Sequence, residues 1–342
     1  MSLQPETDGP QPGTHVTTPL VEEVSRPLIP GWGRMVLGML VGLAVTVSVI
    51  LIFSPQIGSD VRAASRATVQ PIYLLGAVAC VAVYLAVDAW SLVVLTKACC
   101  QTPARGVVKI ALEAHFVGGA TSFGGLEIPY QVVMLRRLGM SGSQATSAIV
   151  VKGLVHAGLL AVVALVSLLP WVDSPITSLQ RWLLLILTLA VAGIWLAAWL
   201  WMRRPLGRGL LPARVRAKAD ELVDAVRSFK GSRWVYAELL ALQLVYWVAM
   251  FGVLLFILHA LGWRGSVVPI IAGQAVMQVL MPLSPLPGGA GVAELSYLAL
   301  IGPSTPGGVA VSSLVLWRVA TFVLPVGLGA VILGLRGGRR GR

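Results

Sequence analysis

The stretch from Pro282 to Glu294, P-L-S-P-L-P-G-G-A-G-V-A-E, constrains this chain more than any other. It sits between strongly apolar segments, where an uninterrupted membrane helix would be expected. Three prolines and three glycines within ten residues cannot continue a helix. Proline removes a backbone donor, and glycine loses the most entropy on ordering. Broken backbone at membrane depth is tolerated only where protein buries it or where it lines a wet cavity. The same device occurs earlier, as G-G-A-T-S-F-G-G-L-E from Gly118 to Glu127. Each break ends in a glutamate, Glu127 or Glu294. Each is followed about 25 residues later by a cation inside the next apolar segment, Lys152 or Arg318.

A membrane setting follows from composition. The chain is 56% hydrophobic and 12% charged, with a mean hydropathy of +0.83, against about 25% charged residues in soluble domains. The 26 Lys and Arg exceed the 14 Asp and Glu, which on its own would fit a nucleic-acid binder. Most of these bases instead flank apolar spans, the pattern of membrane orientation and lipid attraction, so no nucleic-acid partner is expected. Cys80, Cys99 and Cys100 lack metal-ligand spacing and read as free thiols, with acylation of the Cys99-Cys100 pair as the alternative. No metal or cofactor is expected.

Apolar spans of about 20 residues fall at Met35–Phe53, Ile72–Leu95, Ala145–Leu169, Arg181–Met202, Val235–Leu261 and Gly308–Leu335. Two further apolar regions, Val107–Leu138 and Val267–Ile301, contain the breaks. If both are re-entrant and the N-terminus is cytoplasmic, 20 bases lie inside and four outside, a bias that supports the orientation. Two full crossings remain the alternative for the broken regions. Residues 1–30 have no apolar signal region and read as a disordered cytoplasmic tail. Arg203–Arg233 reads as an amphipathic helix on the anionic inner leaflet or as a solvated linker. Residues 336–342 form a basic cytoplasmic tail. Trp171, Trp182, Trp199, Trp201, Trp234 and Trp263 lie near span ends, where interface anchoring accounts for them.

The expected fold is therefore an all-α integral membrane protein with six full spans and two re-entrant broken-helix hairpins. Glu127 and Glu294 are 167 residues apart, and Lys152 and Arg318 are 166 apart. That near-constant offset predicts inverted repeats, about 72–169 and 235–335. In transporters of this plan the substrate site lies at the repeat interface.

Intramembrane charges cost about 2.5–3.5 kcal/mol on insertion scales and usually face a partner or a cavity. Two readings of Lys152 and Arg318 are open. They neutralise Glu127, Glu294 or Asp88 and lock the fold, or they line a cationic cavity for a lipid phosphate. His156 shares a face with Lys152 at i, i+4. The glutamates cap half-helices in one reading. In the other, the amides around Gly288, Gly289 and Gly291 bind phosphate, and the glutamates serve a cationic head group or a proton. Asp88 is a candidate proton-relay residue. Convergence of Glu127, Lys152, Glu294 and Arg318 around one polar cavity is expected.

The segments S-F-G-G-L-E-I-P-Y-Q-V-V-M-L-R-R-L-G-M-S and P-L-P-G-G-A-G-V-A-E resemble the flippase-like transmembrane domain of lysylphosphatidylglycerol synthases, over roughly residues 35–335. The P-G-G-x-G-x-x-E pattern at Pro287–Glu294 is the most specific part. The resemblance implies movement or binding of lipids between leaflets of a bacterial cytoplasmic membrane, with membrane lipids as partners, anionic phospholipid or lipid-linked phosphate. The synthases add a soluble C-terminal domain that transfers lysine from charged tRNA, and this chain ends seven residues after Leu335. A non-enzymatic transporter is therefore expected. The alternatives are a lipid-binding subunit for a separate transferase and a membrane-embedded lipid-modifying enzyme using Glu127, Glu294, His115 and His156.

Overall fold

The computed structural model describes residues 70–167, 178–203 and 233–338, with scattered helical positions within 33–48. Most of the span expected at Met35–Phe53, the N-terminal tail and most of the Arg203–Arg233 linker lie outside the described residues. So does the C-terminal tail beyond Gly338.

Every regular element among the described residues is helical. The first half runs α1 (Pro71–Cys99), α2 (Ala104–Gly119), a single 3₁₀ turn (Ser122–Gly124), α3 (Glu127–Arg137) and α4 (Gly142–Ser167). Next comes α5 (Ser178–Arg203). The second half runs α6 (Arg233–Ala260), α7 (Val267–Leu280), two 3₁₀ turns (Met281–Leu283 and Pro287–Gly289), α8 (Val292–Leu300) and α9 (Gly307–Arg318). A π turn (Val319–Val323) then leads directly into α10 (Leu324–Gly338). Among the described residues, four helical stretches are long and apolar enough to cross a membrane: α1, α4, α6 and the rod Gly308–Leu335 built from α9, the π turn and α10.

Both Gly/Pro stretches break their helices where the chemistry requires it. Gly288, Gly289 and Gly291 all have positive φ, at 65°, 71° and 79°, a region that costs other residues about 1–2 kcal/mol. α2 packs against α3 and α7 against α8, so each broken region doubles back on itself. The tips then meet: the Ser122–Gly124 turn packs on Pro287–Gly289, and the Phe123 N–H donates to the Ser284 carbonyl at 3.1 Å. Phe123 itself is the one described non-glycine residue with positive φ, 56°, so strained backbone sits at the junction. Gly42, in the N-terminal helical positions, also lies against this junction, and a Cβ there would come within 2.9 Å of the Pro287 carbonyl oxygen.

The helices pack reciprocally. α1 lies along α6, α2 packs on α10, and α7 packs on α4, so each hairpin's first arm touches the other half's last span. The larger core joins Val81 and Leu85 of α1 to Trp247, Leu254 and Leu258 of α6, with Tyr297 and Trp317 from α8 and α9. Helix α4 begins at Gly142, one turn before the expected Ala145. Lys152 thus stands about 15 Å along it. One expected anchor is corrected: Trp263 is 5% exposed and donates Nε1–H to the Ser304 carbonyl at 3.0 Å, so it is a core residue. Trp182 and Trp234 are exposed, as anchors would be.

Candidate functional site

Two polar centres lie in the helical core, one in each half. In the second, the backbone turn at Gly291 opens α8, and Glu294 occupies its first turn. Its Oε2 accepts the Gly291 N–H at 2.7 Å, satisfying an amide that a helix start leaves without a partner. Its Oε1 accepts Arg318 Nε–H at 2.6 Å. Arg318 also donates Nη1–H to the Gly288 carbonyl at 3.0 Å and lies over the Phe322 ring, 5.3 Å from its centroid. The two side chains are 0% and 5% exposed. Glu294 is therefore a cap and Arg318 a brace across the break. The π turn after Arg318 carries Phe322, whose ring covers Gly288 so closely that any Cβ there would collide with it.

The first centre is built differently. Asp88, on α1, holds Lys152 of α4 at 2.6 Å through Oδ1 and faces His115 Nε2 of α2 at 3.7 Å through Oδ2. His115 Nε2 makes no hydrogen bond among the described residues. Glu127, the first residue of α3, is half-buried and lies within electrostatic reach of Asp88, His115 and Lys152. Its carboxylate rests on Gly118, where a Cβ would come within 2.6 Å of Oε2. Gln131 Nε2 lies 3.5 Å from its Oε1.

A hydrogen-bonded relay borders this cluster. His156 Nδ1 and Gln243 Oε1 are 2.9 Å apart, and Gln243 Nε2 donates to Ser91 Oγ at 3.0 Å. Trp247 stacks near His156, with ring centroids 4.4 Å apart, and donates to the His156 carbonyl at 3.1 Å. Tyr84 and Tyr246 lie within electrostatic reach of Asp88. The relay joins α1, α4 and α6, so the long-helix pair and the candidate binding helix share one hydrogen-bond network. Side chains of Asp88, Lys152 and His115 retain 11%, 12% and 21% exposure. Asp88 is buried and the His115 Nε2 atom facing it is shielded, so this small exposure falls on other atoms of these side chains; it still exceeds that of the Glu294–Arg318 pair.

Of the residues singled out in the sequence, Lys152, His156, Asp88 and Glu127 come together, as do Glu294, Arg318 and Gly288. Gly289 and Gly291 shape the second break. The two centres are separated by a glycine pair on α2: Gly118 faces Glu127, whereas Gly119 faces Phe322 and Val326. Lys152 takes Asp88 as its close partner rather than Glu127. His115, Gln243 and Ser91 were not singled out as binding residues. Gln243 is a polar residue inside an apolar span, which was the available signal.

The described residues contain no group of three or more His, Cys, Asp or Glu suited to a metal ion. No curated protein matches the chain. A family model does: residues 39–329 match the lysylphosphatidylglycerol synthase TM region. A multi-pass helical framework with charged groups at membrane depth and this match across most of its length make the chain a member of that lipid-handling membrane family.

Proposed function

We propose that the chain moves a phosphate-bearing lipid across the membrane, with the head group passing the Asp88–Lys152–His115 cluster. The observation that carries this reading is an ion cluster of Asp88, Lys152 and His115, with a shielded His115 Nε2 that has no hydrogen-bond partner among the described residues, beside two joined helix breaks. A buried lock needs no extra histidine and no second acid. This centre has both. Lys152 and His115 are donors suited to a phosphodiester, while Asp88 and Glu127 suit a cationic group on the same head or a proton. In this reading the Glu294–Arg318 pair holds the second hairpin in shape, and Gly288 serves that hairpin rather than the lipid.

The reciprocal packing supports two units of opposite orientation with re-entrant hairpins, set in a bacterial cytoplasmic membrane. The basic asymmetry supports placing the Gly142 end of α4 on the cytoplasmic side. Cysteines introduced at Gly142 and Gly302 should then be labelled by impermeant reagents from the cytoplasm and from outside, respectively. Labelling of both from one side would overturn the inverted arrangement.

The carrier reading is tested with purified protein in liposomes containing fluorescent phosphatidylglycerol and dithionite as the outer-leaflet quencher. Lys152→Gln should slow exchange between leaflets by roughly ten- to a hundredfold, the equivalent of losing one hydrogen bond to a charged group, about 1.5–3 kcal/mol. Equal rates in both proteins, or in protein-free liposomes, would sink it. Conversion of the probe to a new lipid species would mark an enzyme instead.

A further inference from the structure

Beside the first centre lies an apolar groove that the head-group reading does not use. Its cavity of about 430 Å³ is lined by Val155, Leu159 and Leu165 of α4, Thr188 and Val191 of α5, and Leu240 of α6. Thr188 spends its hydroxyl on the Leu184 carbonyl at 2.8 Å, so the wall presents almost no polar group to an occupant. The size is that of a small-ligand site, about 300–1,000 Å³.

One end of the groove lies within a helical turn, along α4 and α6, of residues of the polar network. Lys152, Val155 and Leu159 recur at i, i+3 and i+7, and so fall on neighbouring lines of α4. Leu240 is one turn from Gln243, whose carbonyl oxygen meets His156 at 2.9 Å. From Val155 to Leu165 the groove follows α4 for ten residues, about 15 Å. That is half the hydrocarbon thickness of a bilayer, about 30 Å. It therefore runs from mid-membrane toward the Ser167 end of α4, away from Gly142.

Resting on the head-group reading above, we infer that this groove holds one acyl chain of the lipid whose head group is at the Asp88–Lys152–His115 cluster. The direction of the groove assigns that lipid's origin. A lipid of the leaflet on the Gly142 side points its chains toward the Ser167 side. When its head group rises to mid-membrane, its chain enters the opposite leaflet's depth, where the groove lies. A resident lipid of the Ser167-side leaflet would lie the other way, with its head at Ser167 and its chain ends at Val155.

Photoreactive phosphatidylglycerols separate these cases. The full-length protein is reconstituted with a small fraction of lipid carrying a diazirine either near the acyl carbonyl or at the chain end, and adducts are mapped by mass spectrometry. The carbonyl-proximal probe should mark Val155 and Leu159, and the terminal probe should mark the neighbourhood of Leu165. The reverse polarity overturns the inference in favour of a resident lipid of the other leaflet. Equal labelling of the exposed α6 residues Leu244 and Val248 overturns it as ordinary boundary lipid. Ala161→Phe, which fills the groove from the α4 wall away from the ion cluster, should lower the Val155 and Leu159 adducts about tenfold, a change of about 1.4 kcal/mol. Undiminished adducts in this variant would also overturn the inference. Lys152→Gln should lower the same adducts to a similar extent. The expected polarity with labelling unchanged in Lys152→Gln supports the groove and overturns the head-group reading instead.

Discussion

The two halves place an acid and a cation at matching offsets, yet they use them differently. In the second half, Glu294 pairs with Arg318 and with the Gly291 amide. Arg318 also reaches the Gly288 carbonyl, while its Nη2 is buried with no hydrogen-bond partner among the described residues. The two side chains are 0% and 5% exposed. In the first half, Lys152 reaches past Glu127 to Asp88, His115 joins them, and all three side chains retain slightly more exposure. Equal spacing therefore does not mark a shared task. What separates a brace from a site is whether its charges have partners to spare.

That contrast fails if the second pair can be broken cheaply. Glu294→Gln leaves a guanidinium inside the core without its carboxylate, which should cost about 3–5 kcal/mol. Thermal unfolding in detergent should show a much larger loss than for Lys152→Gln, with leaflet exchange by the surviving folded fraction near normal. A double variant, Glu294→Leu with Arg318→Met, should recover part of the stability, because an apolar pair of similar volume avoids the desolvation cost. Exchange lost in Glu294→Gln while stability is kept would make the second centre a functional site as well.

A smaller effect tests the brace through its backbone. Gly288→Ala faces both a positive φ of 65° and the Phe322 ring. A loss of about 1–3 kcal/mol is expected. Adding Phe322→Ala should relieve the collision and leave the backbone cost. Full tolerance of Gly288→Ala alone would mean that the π turn does not hold Phe322 there. The smallest effect belongs to Tyr297→Phe, which removes one buried hydrogen bond to Ser313 Oγ, 2.7 Å long. It should cost about 1 kcal/mol and leave exchange unchanged, since it too lies in the bracing half.

The breaks were legible in the sequence because Gly and Pro act locally: Gly118–Glu127 and Pro282–Glu294 interrupt their helices where composition places them. Four of the expected spans, Ile72–Leu95, Ala145–Leu169, Val235–Leu261 and Gly308–Leu335, were legible to within about a turn for the same reason, since apolar length is a property of one segment. Partner choice was not. Whether Lys152 meets Glu127 or Asp88 depends on how α1 lies against α4, a tertiary fact that no spacing along the chain encodes. The π turn after Arg318 was hidden likewise, because Val-Ala-Thr-Phe-Val carries no breaker. Trp263 looked like an interface anchor because it follows a span, but the turn at Gly262, φ 81°, folds it inward onto Ser304.

The distribution of charge between the halves has a mechanical consequence. Each of the close ion pairs described above joins residues of one half: Asp88 with Lys152 and His115, and Glu294 with Arg318. The named polar contacts that cross between the halves are hydrogen bonds and not ion pairs, such as Phe123 N–H to Ser284, His156 to Gln243, Gln243 to Ser91 and Trp247 to the His156 carbonyl. A rocking motion that parted these contacts would forfeit about 0.5–1.5 kcal/mol for each. It would strand none of these charges, which would cost about 3–5 kcal/mol. At this seam the polar cost of motion is small, and the resistance comes from the apolar core that α1 and α6 share.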